Sequence, residues 1–99
     1  MLTSASIISV HLIISGLVQG VSFRSWTKTI AKSLGISGWV KNNYNGTVEI
    51  EAYATKEILE KFIFLCRTGP TSAKVSSVNI DWNDVKGLQS HTFKSFEIR

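Results

Sequence analysis

The stretch SIISVHLIISGLVQGVSFRSWTKTIAKSLG, Ser6 to Gly35, decides the architecture. Its first third, Ser6 to Ser15, is dense in isoleucine and valine, side chains that suit a pleated, packed surface, and reads as a buried first strand. Gly16 to Val21 (GLVQGV) is a glycine-bracketed loop whose apolar residues argue that it is packed. Phe23 to Leu34 then switches period. Phe23, Trp26, Ile30 and Leu34 fall three and four apart, on one stripe of a helix. Gly35 stands where a helix C-terminal glycine belongs. A strand, a tight loop and an amphipathic helix therefore open the chain.

Working outward, Ile36 to Asn42 (ISGWVKN) reads as a strand, and Asn45-Gly46 as a hairpin, because both residues tolerate positive φ. Thr47 to Ala54 (TVEIEAYA) alternates cleanly: Val48, Ile50, Ala52 and Ala54 share one face, Glu49, Glu51 and Tyr53 the other. Thr55 can cap a second helix, with Glu57 at its positive end and Ile58, Leu59, Phe62, Ile63, Leu65 and Cys66 as its apolar side. Gly69-Pro70 stops that helix. Ala73 to Trp82 contains a fourth strand, Val75 to Asp81; a turn near Asn83 to Gly87 leads to a last strand, Thr92 to Ile98. The order is β-α-β-β-α-β with an added C-terminal strand. That is the split βαβ arrangement, a ferredoxin-like α/β (α+β) sandwich with two helices on one face of a mostly antiparallel sheet.

A chain of 99 residues suits one domain over 1–99, with residues 1–5 expected as a flexible lead. With 43% hydrophobic and 18% charged residues, the composition is globular, not disordered. The net charge of +4 admits phosphates, nucleic acid or a membrane surface and selects none of them. Cys66 is the single cysteine, so no internal disulfide is possible, and its apolar helical setting marks a buried packing residue. The apolar run from Met1 to Ile14 lacks a basic leading region and a cleavage site, and is too short to span a bilayer. The expectation is a cytoplasmic monomer with no membrane partner.

The loop is the chemically informative element. Glycines let successive N–H groups converge on an anion, and a helix N-terminus adds unpaired donors and a positive dipole end. Arg24, in the first helical turn, can fold back over that cradle with a planar fork suited to phosphate oxygens. The candidate phosphate-binding loop is Leu17, Val18, Gln19, Gly20, Val21, Ser22 and Phe23, with Arg24 above it. A tight strand-to-helix turn with a surface arginine accounts for the loop composition equally well. Neither G-x-x-x-x-G-K-[ST] nor G-x-G-x-x-G occurs, which leaves a nucleotide-binding loop unsupported.

G-L-V-Q-G-V-S-F-R, Gly16 to Arg24, resembles the first signature of the acylphosphatase family, and G-W-V-K-N-N-Y-N-G-T-V-E, Gly38 to Glu49, resembles the second. The likeness extends to G-P-x-x-A-x-V, Gly69 to Val75. Two departures stand out. Ala54 occupies a position usually held by glycine, which matters if the backbone there needs positive φ, and Asn45 replaces a frequent aspartate. The resemblance implies hydrolysis of the carboxyl-phosphate anhydride of a small acyl phosphate, with Arg24 binding the phosphate and Asn42 orienting the attacking water. No metal and no cofactor are expected, because His11 and His91 stand apart from any recognisable metal-ligand cluster. The chemistry agrees, because the carboxylate leaving group has a conjugate acid of pKa roughly 4 and needs no general acid. Asn42 by itself suits hydrogen bonding beside a hairpin; its water-holding role comes from the resemblance.

No other group of residues competes. His11 and His91 read as isolated, structural or solvated residues, and Asp81 and Asp84 as turn residues. Ser15, Ser22 and Ser25 lack a partnering base, and Trp26, Trp39 and Trp82 read as core or partly buried. Two alternatives remain on the same fold. An RNA-binding module would stack bases on central-strand aromatics, yet the first strand has none and the third sets Glu49 and Glu51 beside Tyr53. A non-catalytic acyl-phosphate-binding module is the other.

Overall fold

In a computed structural model of the chain, which describes residues 6–83 and 95–99, the isoleucine-valine run forms β1, Ile7–Leu17. It is followed by α1 (Phe23–Leu34), β2 (Ser37–Asn42), β3 (Val48–Thr55), α2 (Lys56–Thr68), β4 (Lys74–Asn83) and β5 (Phe96–Ile98). The five strands form one sheet in the order β4-β1-β3-β2-β5. Every pairing is antiparallel except β2 with β5, which is parallel. This is the expected ferredoxin-like sandwich. The expected lead over residues 1–5, most of the turn after Asn83 and the start of the last strand lie outside the described residues, as do Asp84 and His91.

The alternation of β3 places its apolar residues against those of β1. Val10 faces Ala52, Leu12 faces Ile50 and Ile14 faces Val48, and all six are fully buried under the helices. The opposite face of the sheet is polar. There His11, expected to stand alone, is held by two carboxylates: Glu49 lies 2.7 Å from Nε2 and Glu51 2.5 Å from Nδ1. Trp39 lies on the same face, edge-on to His11, with Lys41 and Arg99 over its ring. Trp26 is partly buried, whereas Trp82 is exposed with Lys56 above it, against expectation.

Several boundaries and faces differ from the sequence reading for identifiable reasons. β1 runs two residues past Ser15, because a bulge between Ser15 and Gly16 lets pairing with β4 continue to Leu17. Gly16 makes this possible: its φ is +125°, and a Cβ there would lie 2.1 Å from the Lys74 carbonyl oxygen. In α1 the buried centre is Phe23, Thr27 and Ala31, while Trp26, Ile30 and Leu34 flank it. Thr27 is tolerated there because its hydroxyl donates to the Phe23 carbonyl at 2.8 Å. In α2 the buried stripe is Leu59, Phe62, Ile63 and Cys66; Leu65 faces outward.

Thr55 caps α2 as expected, its hydroxyl accepting from the Ile58 N–H at 3.4 Å. The hairpin between β2 and β3 belongs to the longer, three-residue class. Gly46 N–H donates to Asn43 O at 3.1 Å, and Asn43 N–H to Thr47 O at 2.9 Å. Only Gly46 of the Asn-Gly pair has positive φ. Asn45 contributes through its Oδ1 instead, which accepts from the Thr47 hydroxyl at 2.7 Å. Ala54 is buried and keeps negative φ, so the missing glycine leaves no strain.

Candidate functional site

The bulged end of β1 delivers the loop to the N-terminus of α1. Val18 is buried and forms part of the floor, as does Phe23, the first helical residue. Between them Gly20 and Ser22 both take the left-handed conformation, with φ of +74° and +63°. Ser22 is the one non-glycine residue with positive φ among the described residues, a conformation that costs an L-residue energy. It precedes the helix without using its side chain as a cap, and the first turn of α1 holds no acidic residue. The positive end of the helix dipole and its unpaired N–H groups therefore face the loop without an internal counter-charge.

Arg24 projects from that first turn and is exposed. Among the described residues it makes no ion pair; the carboxylates of Glu49 and Glu51 on the far sheet face are engaged by His11 and Lys41. Its guanidinium is therefore free to meet an anion over the loop.

Asn42 is the last residue of β2. Val40 is fully buried on the helix-covered face, so period two puts Asn42 on that face as well, at the sheet end nearest the loop. Its Oδ1 is buried and has no hydrogen-bond partner among the described residues. A buried acceptor that no donor meets costs about 1–3 kcal/mol, so this oxygen can accept a hydrogen bond within the cleft.

These groups meet in one cleft of about 370 Å³, lined by Val18, Gly20, Ser22, Phe23, Arg24, Ser25, Asn42 and Ile98. The side chains of three members of the expected loop, Leu17, Gln19 and Val21, are not in this lining. Leu17 ends β1 and is exposed, and Val21 packs against the core cluster. Gln19 spans to the hairpin, its Nε2 donating to Asn43 O at 2.7 Å and to Thr47 O at 2.9 Å. It thereby ties the loop to the segment that follows Asn42. Ser25 and Ile98 were not expected in the lining. Ser25 could have been found beside Arg24, whereas Ile98 arrives through the non-local pairing of β5 with β2.

A larger cavity of about 590 Å³ opens at the other end of α1, between Lys32, Tyr53 and Phe96. It contains no orphaned polar atom among the described residues. Nor does any group of three or more His, Cys, Asp or Glu among them converge as a metal-ligand set. The smaller cleft, with a cation, a helix N-terminus and an empty acceptor around one space, suits a small phosphorylated ligand and a water molecule.

Comparison with known proteins places the whole fold among the acylphosphatases. The acylphosphatase family model matches residues 10–98. An acylphosphatase of Pelotomaculum thermopropionicum is 42% identical over 88 residues, 89% of this chain and 91% of that protein. One from Salinibacter ruber is 38% identical, across 87% of this chain and 86% of its own length. Among solved structures, the acylphosphatase of Bacillus subtilis superposes with a TM-score of 0.84 at 29% identity, covering 93% of this chain and 98% of that one. That of Coxiella burnetii gives 0.81 at 32% identity, covering 94% and 93%.

Proposed function

The chain belongs to the acylphosphatase family, and from that membership we propose a division of roles within its cleft, in which the Gly16–Arg24 loop holds the phosphoryl group and Asn42 holds the attacking water. The reaction is hydrolysis of an acyl phosphate to a carboxylate and inorganic phosphate. The single observation that carries the division of roles is the Asn42 Oδ1, buried in the cleft with no partner among the described residues.

The loop N–H groups, the start of α1 and Arg24 take up the negative charge of the phosphoryl oxygens, which grows or redistributes as the bond to the leaving group loosens. Water donates one hydrogen bond to the Asn42 Oδ1, keeping that proton, and so presents a lone pair to phosphorus. The new bond forms from that water oxygen. The phosphorus–oxygen bond to the acyl group breaks and its electron pair leaves on the carboxylate. The water's second proton passes to a phosphoryl oxygen. Asn42 is not required as a base, because the water's proton goes to the substrate itself, and no general acid is needed, because a carboxylate of conjugate-acid pKa about 4 departs without protonation.

Free small acyl phosphates are the substrates in this reading, with no nucleic acid bound. The paired carboxylates of Glu49 and Glu51 on the open sheet face support that last point, since they would repel a phosphate backbone. A cytoplasmic monomer completes the proposal, in keeping with a free and buried Cys66 thiol. The test is steady-state hydrolysis of acetyl phosphate and benzoyl phosphate by the wild-type chain and Arg24→Ala. Loss of most turnover, together with loss of competition by inorganic phosphate, is expected. A folded Arg24→Ala protein with near-normal turnover overturns the role of Arg24.

A further inference from the structure

We infer that Ile98, near the end of β5, is the wall against which the acyl group of the substrate packs, so that this residue sets the preference between bulky apolar and small acyl groups. The inference rests on the hydrolase reading above and names the part of the substrate that the phosphate loop does not touch.

The lining of the cleft divides by chemistry. Gly20, Ser22, Arg24, Ser25 and Asn42 offer backbone donors, hydroxyls, a guanidinium and an amide. Val18, Phe23 and Ile98 are its apolar members. Val18 and Phe23 are each 1% exposed, so their side chains are already used in the core. Ile98 is 42% exposed and is the apolar lining residue with surface left to cover.

Its position is fixed by pairing. Ile98 stands beside Val40 in the parallel ladder between β5 and β2, and Arg99 N–H donates to Val40 O at 2.8 Å just beyond it. Neighbours in register share a sheet face, so Ile98 is directed to the helix-covered side, as Val40 and Asn42 are. A phosphoryl group seated on the loop and Arg24 leaves its acyl substituent in the rest of the cleft. An apolar substituent there gains by covering Ile98, whereas an acetyl group is too small to cover much of it. The contact is one-sided and open to water. Its effect on selectivity therefore falls at or below the lower end of what a closed apolar pocket achieves, about three- to tenfold.

The experiment compares kcat/KM for benzoyl phosphate and for acetyl phosphate in the wild-type chain, Ile98→Ala and Ile98→Thr. Ile98→Thr keeps a β-branched side chain in the strand and serves if Ile98→Ala does not fold. The benzoyl-to-acetyl ratio is expected to fall about three- to tenfold, mainly through a higher KM for benzoyl phosphate. A ratio equal to that of the wild type overturns the inference and leaves the hydrolase reading intact. Absence of turnover by the wild-type chain on both substrates overturns the hydrolase reading and this inference with it.

Discussion

Gln19 joins the Gly16–Arg24 loop to the hairpin that follows Asn42, and replacing it tests how much that joint stabilises the fold. Its Nε2 donates to Asn43 O at 2.7 Å and Thr47 O at 2.9 Å. Both carbonyls also accept a backbone N–H, from Gly46 and Asn43 respectively. Gln19→Ala therefore removes two bonds without orphaning either oxygen, and at about 0.5–1.5 kcal/mol per bond the loss is about 1–3 kcal/mol. For a domain of this size, a loss of about 2 kcal/mol lowers Tm by about 8–16 °C. Gln19→Glu keeps the shape but sets a carboxylate oxygen against two carbonyl oxygens. That substitution should cost more than Gln19→Ala at pH 7.5.

The pH dependence of Gln19→Glu has a definite sign. The folded state favours the protonated, donating carboxyl, so its folded pKa is raised above the unfolded value of about 4.3. The stability of the protonated form is fully present below that unfolded value and is lost as pH rises through the folded pKa. Urea unfolding followed by tryptophan fluorescence at pH 4.5 and 7.5 reads both effects. The reasoning is refuted if Gln19→Ala unfolds with wild-type stability, or if Gln19→Glu matches Gln19→Ala at pH 7.5.

Two further outcomes follow from the packing. Gly38→Ala would put a Cβ 1.9 Å from the Glu51 carbonyl oxygen in a residue whose φ is +138°, so β2 and β3 must separate. A loss of about 3 kcal/mol or more in urea unfolding is expected, and a loss below about 1 kcal/mol would contradict the pairing. Burial pushes the Cys66 thiol up to about 12. Its contribution to stability is therefore intact below the unfolded thiol value of about 8.5 and is lost as pH rises toward 12. Labelling of native protein by a disulfide reagent at pH 8 should run at least about a hundredfold slower than in urea, and equal rates would place the thiol at the surface.

How far the sequence could be read varies with whether a residue's neighbours are local. The alternation in β3 names its buried face directly, because each apolar residue is followed by a polar one or by Tyr53. In β2 the same rule fails. Trp39 and Val40 are both apolar, and period two cannot say which faces the core. The structure places Val40 inward because Trp39 finds partners on the open face in His11, Lys41 and Arg99. The orientation of Asn42, two residues on, hangs on that choice. Leu17 and Gln19 read as phosphate-loop residues from their place between glycines. What pattern could not show is that Leu17 also pairs in the β1–β4 ladder and that the Gln19 side chain reaches the returning hairpin, since neither partner is near in sequence. Ile98 enters the cleft by parallel pairing across most of the chain length, where short-range pattern carries no information.

The division of roles between the loop and Asn42 is tested most directly by Asn42→Ala, assayed for kcat on benzoyl phosphate and for the competitive inhibition constant of inorganic phosphate. Loss of one transition-state hydrogen-bonding group of this kind costs about 10²–10³ in kcat. The account predicts a fall of that order with the phosphate inhibition constant changed less than about threefold, because the loop and Arg24 hold the anion and Asn42 holds the water. Near-normal kcat, or a loss of phosphate affinity as large as the loss of turnover, would contradict it.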